Sequence, residues 1–163
     1  MNAIVLAAAL LAAPATPEQA VATLWRALSH DAGRPGNEAE LRAILHPDAM
    51  VYGARYRDGV PALSVTRGTD FAASIGRVGE QGFHECEVAR EVRQYDRFAT
   101  VYSVVESRNE RNAPKANFTG VNSIQLYRAD EGWRIIALYY QVEKPGMPVP
   151  LQGGKSGVCL EGQ

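Results

Sequence analysis

The sequence is poor in the side chains from which metal centres and nucleophilic sites are usually built. It has three histidines and two cysteines among 163 residues, and neither a CxxC nor an HxxxH spacing occurs. The GxSxG turn that presents a catalytic serine in many hydrolases is also missing. These absences give no support to a metal site or a serine hydrolase, and neither a metal nor a cofactor is expected.

A surplus of charge is missing as well. Seventeen Lys and Arg residues are interleaved with eighteen Asp and Glu residues, for a net charge of −1. No basic stripe exists that could follow a phosphate backbone, so nucleic acid is not an expected partner. The length and the 46% hydrophobic content predict one domain with a sizeable core.

The first fifteen residues, MNAIVLAAALLAAPA, contain no charged side chain. Their apolar run, residues 3–13, is shorter than the roughly 20 residues that span a bilayer. Residues 13–15, Ala-Pro-Ala, have the small-x-small pattern of a signal-peptidase site. A cleaved signal peptide over 1–15 is therefore predicted, and with it a periplasmic or secreted protein without a membrane span. The alternative is a buried N-terminal helix of the mature fold.

The two cysteines leave two possibilities open. Cys86 falls in a predicted strand and Cys159 in a Gly-rich terminal segment, 73 residues apart. In an oxidising compartment they could pair and fasten that segment. Cys86 could equally be a small core residue and Cys159 a free thiol.

Helical patterns come first along the chain and strand patterns follow. Thr16 precedes an amphipathic helix, and two shorter helices are predicted near 38–45 and from 69 or 70 onward. Strands are predicted at 48–56, 83–95, 98–108, 118–128 and 133–143, with one more after the Asp-Gly turn near 58. This order predicts an α+β fold with an antiparallel sheet. The domain is assigned to 16–150, with a flexible C-terminal tail at 151–163.

Two titratable side chains are candidates for proton transfer, His84 and Glu106, and the strand patterns leave open whether each faces inward or outward. His84 alternates with Cys86 and Val88, which favours an inward orientation, although a lone inward histidine is more often a core residue. Glu106 lies near the end of an apolar strand and becomes a candidate base if an apolar pocket raises its pKa. Glu85, which shares its strand parity with Glu87 and Glu91, is expected on a solvated face.

Polar residues that alternate with apolar ones on the strands predict the lining of a pocket. In GVNSIQLYRADEGWRII, Asn122 shares its parity with Ile124 and Leu126, whereas Ser123 and Gln125 share the opposite one. The predicted pocket residues are Tyr102, Asn122, Tyr139 and Gln141. Tyr139 and Gln141 are included because they share their strand parity with Trp133 and Ile135.

Several phrases resemble the nuclear transport factor 2-like superfamily, in its SnoaL-like branch. LRAILHPDAMVYG resembles that branch's helix-to-strand entry, and FTGVNSIQLYRADEGWRIIALYYQVEKPGMPVP resembles the closing hairpin of its bacterial members. The resemblance implies a cone-shaped α+β fold, with N-terminal helices packed on a curved antiparallel sheet around a pocket, and a homodimer formed through the sheet. It also implies that Gly53 occupies the position of the aspartate base of ketosteroid isomerases, so that catalytic role is missing here.

Three functions follow as alternatives. The first is an exported domain that binds a small apolar or mixed-polarity ligand without assured catalysis. The second is a cofactor-independent proton-transfer enzyme, of the cyclase, isomerase or dehydratase type, that uses His84 or Glu106. The third is a dimerising interaction domain with a filled core.

Overall fold

Three helices and six strands follow one another in the computed structural model, which describes residues 13–162. The helices are α1 (Pro17–Leu28), α2 (Glu38–Ile44) and α3 (Gly68–Ile75). The strands are β1 (Leu45–Arg57), β2 (Val60–Arg67), β3 (His84–Tyr95), β4 (Phe98–Arg108), β5 (Phe118–Ala129) and β6 (Gly132–Val142). The predicted α+β class is confirmed. Residues 1–12 of the predicted signal peptide lie outside the described residues.

Local sequence explains where the first helix begins. The Thr16 hydroxyl accepts a hydrogen bond from the Gln19 amide at 3.2 Å, and Pro17 occupies the first helical position. The apolar face of α1 carries Val21, Leu24 and Trp25, all nearly inaccessible to solvent. This face packs on the sheet because its apolar residues recur at three- and four-residue spacing.

The six strands form one curved sheet in the order β2-β1-β6-β5-β4-β3. Neighbouring strands run antiparallel except β1 and β6, which are parallel. The expected antiparallel sheet is thus corrected to a mixed one. β1 and β6 are neighbours in the sheet but are far apart in sequence, with four strands and α3 between them. A tight hairpin turn joins antiparallel strands only, whereas so long a connection allows two strands to pair in parallel.

Two register shifts, one on β3 and one on β6, change which face of the sheet the following side chains occupy. On β3, Glu87 lies opposite Val105 and Ala89 opposite Val104, so Val88 is an extra residue. On β6, Ile135 lies opposite Leu126 and Ala137 opposite Gln125, so Ile136 is extra. An inserted residue exchanges the two faces for every residue beyond it. Simple alternation therefore fails along both strands.

The chain after β6 lies across the outer face of the sheet, the face turned away from the helices. Val149 and Leu151 pack against a small apolar cluster that includes Val88 and Val104. A disulfide joins Cys86 to Cys159, which resolves the question that the sequence left open. At the edge of the sheet, the Leu160 amide donates to the Glu87 carbonyl at 2.8 Å. We call residues 144–162 the strap.

Candidate functional site

A cavity of about 250 Å³ opens at one end of the inner face of the sheet. Its walls combine the start of β3 and β5 with the ends of β4, β6 and β1, because the register brings these termini together. Its apolar lining comes from both helices and sheet: Trp25 and Leu28 of α1, Phe71 and Ile75 of α3, Val105 and Leu138. The polar side chains on its wall are Arg55, Glu85, Ser107, Asn122 and Tyr140.

Glu85 is the half-buried acid on the wall of this cavity. Its Oε2 accepts a hydrogen bond from the Ser107 hydroxyl at 2.9 Å, directly across the β3–β4 pair. Burial raises the pKa of Glu85 to about 8, and the Ser107 hydrogen bond offsets only part of that effect. At neutral pH the side chain is therefore mainly a neutral carboxylic acid that can donate a hydrogen bond.

Glu85 also borders a second depression, the outer cleft, at the free edge of β3. This cleft has a volume of about 710 Å³ and lies between the end of α1, the β4–β5 loop and the strap. Arg26, Arg108, Arg111 and His84 contribute to its wall. The carboxyl of Glu85 thus stands between the apolar cavity and a polar, open surface.

Asn122 lies on the cavity wall, at the inward position that strand alternation predicts. Its side chain is 6% exposed, and its Nδ2 donates to the Ser103 carbonyl at 3.4 Å. Ser123 and Gln125, which have the opposite parity, are exposed on the outer face.

His84, a predicted proton-transfer group, does not line the cavity. It faces the outer cleft, where its Nε2 lies 3.3 Å from Asp31 Oδ1. Burial and the nearby Arg111 charge lower the pKa of the imidazole, against an opposing effect of Asp31. The strand pattern favoured an inward orientation and left the outward one open. The structure has His84 buried on the outward side, because the strap and not the core lies over that side of β3.

Glu106, the other predicted base, also lies on the outer face and fastens the strap. It accepts hydrogen bonds from Arg108 Nη2 at 2.8 Å, from the Ser156 hydroxyl at 2.5 Å and from the Gly157 amide at 2.8 Å. Burial opposes its charge, but the hydrogen bonds of Ser156, Arg108 and Gly157 together lower the pKa of Glu106. A carboxylate held by three donors is a structural anchor.

Three predicted pocket residues lie outside the cavity. Tyr102 and Tyr139 are 41% and 45% exposed on the outer face. Gln141 is half-buried on that face, and its Nε2 donates to the Val142 carbonyl at 2.8 Å. The extra residue Ile136 explains the error on β6, since beyond it Leu138, Tyr140 and Val142 face inward instead. On β4, Tyr102 simply alternates with the buried Val101 and Ser103.

Neither a protein-family model nor a curated protein matches this chain in sequence. Solved structures do match it. A nuclear transport factor 2-like protein of unknown function from Silicibacter pomeroyi superposes with a TM-score of 0.53, at 16% identity over 77% of this chain and 92% of that one. A protein with a cystatin-like fold from Nostoc punctiforme gives 0.60, at 13% identity over 83% and 98%. A candidate ketosteroid isomerase from Parabacteroides distasonis gives 0.54, at 12% identity over 79% and 89%.

The chain has the nuclear transport factor 2-like fold. The likeness covers 77% and 83% of this chain in the first two superpositions, and it confirms the fold that the sequence phrases implied. At these identities it establishes the architecture alone, and the chemistry has to be argued from the side chains in the cavity.

Tyr140 lies against Gly53, the position on β1 that the sequence resemblance matched to the aspartate base of ketosteroid isomerases. A Cβ atom placed on Gly53 would lie 2.3 Å from the Tyr140 hydroxyl. Any larger side chain at Gly53 would therefore have to displace the tyrosine. The tyrosine hydroxyl thus lies on the β1–β6 side of the cavity, and the Glu85 carboxyl lies on the opposite flank, on β3.

Sequence reasoning missed Glu85, Ser107, Arg55 and Tyr140. Glu85 and Glu87 were placed on a solvated face with Glu91, yet Glu87 is fully buried and bound by Arg90 and Ser103. Only Glu91 is exposed as expected. One signal in the sequence indicated the site. Ser107 has the same strand parity as Val101 and Val105 on β4, which predicts that its side chain faces inward.

Within residues 13–162, no group of three or more His, Cys, Asp or Glu side chains is placed to hold a metal ion. In the same part of the chain, no helix combines the length and apolar character needed to cross a bilayer.

Proposed function

We propose that the cavity binds a small, mainly apolar molecule that carries a hydrogen-bonding group. The observation that supports this most strongly is the cavity itself, an apolar space of about 250 Å³ on whose wall a few polar side chains converge. Apolar walls with few polar groups are the usual composition of small-molecule sites. A filled core, the third alternative from the sequence, does not fit this arrangement.

An unpartnered donor on the cavity wall supports the same proposal. The indole nitrogen of Trp25 is buried and has no hydrogen-bond partner among the described residues. Buried donors are almost always satisfied, and one that the protein leaves open is a position for a bound polar atom. Glu85 and Asn122 offer further donors to an oxygen of the ligand.

A blocking variant tests the proposal. Gly120 lies on the wall, and the atom closest to a Cβ built there is the Gln141 carbonyl oxygen at 3.4 Å, so a leucine can be accommodated and points into the space. We expect the neutral probe 2-acetylnaphthalene to bind the wild type in calorimetry and to lose at least tenfold in affinity with Gly120→Leu. Ser123→Leu, on the outer face of the same strand, is the control. Equal binding by both variants would place the probe elsewhere.

A second candidate function, proton transfer on a ketone, is favoured by the position of Glu85. Once ionised, the carboxylate can take a proton from the carbon next to a carbonyl, leaving an enolate and a neutral Glu85. The return of that proton restores the ketone, so no cofactor is needed. Because Glu85 also borders the outer cleft, its proton can exchange with water while a ligand fills the cavity. This assignment replaces His84 and Glu106 as the catalytic candidates.

Deuterium exchange tests this candidate. The methyl protons of 2-acetylnaphthalene are followed by NMR in D₂O with wild-type protein and with Glu85→Gln. We expect exchange about a hundredfold faster with the wild type, and a rate that rises with pH until about 8, where Glu85 is ionised. Equal rates for the two proteins would reject catalysis while leaving the binding proposal intact.

We further propose that the mature protein is exported and forms a homodimer. The uncharged N-terminal segment and the Cys86–Cys159 disulfide support export, since such bonds persist in oxidising compartments. Exposed aromatic side chains beside the strap, including Tyr102, Tyr127 and Tyr139, support a dimer through the outer face. Fractionation with mass spectrometry of the N-terminus tests the first, and sedimentation of wild type against Tyr139→Glu tests the second.

A further inference from the structure

The rim of the cavity carries an arginine without a partner. Arg55 is exposed, lies on β1 and contributes to the cavity wall. Among residues 13–162, its guanidinium has no hydrogen bond and no carboxylate within 4 Å. The acid that follows the neighbouring strand, Glu143, instead accepts a hydrogen bond from the Thr119 amide at 3.0 Å.

Among the described residues that line the cavity, none carries a full negative charge at neutral pH that would balance Arg55. Glu85 is the carboxyl group on its wall, and burial keeps that group mainly protonated, with a pKa of about 8. Arg55 and Glu85 also lie on opposite flanks, four strand spacings apart, which is about 19 Å measured along the sheet. The wall of the cavity therefore combines apolar side chains with one exposed guanidinium.

We propose that the ligand is an amphiphilic anion, with a carboxylate at Arg55 and an apolar body in the cavity. This inference rests on the proposed binding function and specifies its ligand class. A guanidinium with five donors can hold a carboxylate through two parallel hydrogen bonds. The apolar body would then extend toward Trp25 and Phe71, and any second polar group would meet Asn122 or Glu85.

Two pairs of probes of nearly equal shape separate the charge from the apolar body. They are 2-naphthoate with 2-acetylnaphthalene, and nonanoate with 2-decanone. Affinities are measured by calorimetry at pH 7 for the wild type, for Arg55→Gln and for Arg57→Gln. The control, Arg57, is an exposed arginine two residues along the same strand that does not contribute to the cavity wall.

For the wild type we expect each carboxylate to bind about tenfold more tightly than its ketone, as a charge-assisted hydrogen bond implies. Arg55→Gln should remove that preference and leave ketone binding within twofold, whereas Arg57→Gln should preserve it. Ketone binding without any carboxylate preference would overturn this inference and leave the binding function standing. If neither probe of either pair binds, the binding function fails and the inference fails with it.

Discussion

Glu85, which is half-buried, and Glu106, which is buried, lie on neighbouring strands, and their pKa values shift in opposite directions. Glu85 faces inward, receives one side-chain hydrogen bond and has its pKa raised to about 8. Glu106 faces outward, receives three hydrogen bonds and has its pKa lowered. The number of donors around each group decides its charge, because burial alone would favour the neutral acid in both cases.

The two faces of the sheet differ in the same way. The outer face at β3 and β4 is covered by the strap, which a disulfide, hydrogen bonds to Glu106 and apolar contacts fasten to the sheet. The inner face keeps a cavity whose acid, indole and guanidinium groups are left with few or no protein partners. We infer that the outer face serves stability and the inner face serves ligand recognition.

Removal of the disulfide, which fastens the strap to the outer face, is expected to cause the largest loss in unfolding free energy. Cys86→Ala combined with Cys159→Ala opens a loop of 73 residues, and loop-closure entropy predicts a loss of about 4 kcal/mol in unfolding free energy. Urea unfolding of oxidised wild type and the double variant measures it. A loss below about 1 kcal/mol would show that the strap contributes little to stability.

Glu106→Gln comes next in size. The substitution leaves Arg108, which is 6% exposed, buried without its counter-charge, and we expect a loss of about 3 kcal/mol. The matched control is Glu91→Gln, which breaks the exposed ion pair with Arg93 and should cost less than about 1 kcal/mol. Similar losses for the two variants would contradict the role of Glu106 as an anchor.

Glu85 should make stability fall as the pH rises. Its pKa is higher in the folded protein than in the unfolded chain, so the folded state binds the extra proton until about pH 8. Between pH 6.5 and 8 we expect a loss of about 2 kcal/mol that Glu85→Gln abolishes. His84 and Glu106, whose pKa values are lowered, act in the opposite direction and below this window. A pH dependence identical in wild type and variant would contradict the assignment.

A pair of glycines, of which Gly120 should give the smallest effect, provides a further contrast in packing between the two faces. A Cβ on Gly154, in the strap, would lie 2.2 Å from the Val88 carbonyl oxygen, whereas one on Gly120 meets only the Gln141 carbonyl oxygen at 3.4 Å. Gly154→Ala should therefore cost about 1–3 kcal/mol and Gly120→Ala less than about 0.5 kcal/mol in thermal or urea unfolding. The reverse order would mean that the cavity is packed as tightly as the strap.

Most of the fold could be predicted from the sequence, because local signals specify it. The Thr16 cap, the apolar spacing of α1 and the turns between long strands all act within a few residues. The parallel pairing of β1 with β6 could not, since it depends on contacts between residues about 90 positions apart.

The site was less predictable for a physical reason that two residues show. Asn122 lies on β5, where the register is regular as far as Gln125, and alternation placed its side chain correctly. Glu85 and Tyr139 lie on strands with an extra residue, Val88 or Ile136, where alternation exchanges the faces. Bulges arise from the pairing of two strands and have no reliable signal in one of them. The strap also limited prediction from the sequence. Because it covers part of the outer face, side chains are buried on both faces of the sheet there, and burial no longer identifies the inner face.

The most direct test of the account is the titration of the Glu85 side-chain carboxyl by carbon NMR, assigned by its loss in Glu85→Gln. We predict a midpoint of about 8, as expected for a neutral acid on the wall of an apolar cavity. A midpoint near the ordinary glutamate value of about 4.3 would mean that water reaches the group freely. That result would contradict the description of Glu85 as a neutral acid on the wall of an apolar cavity.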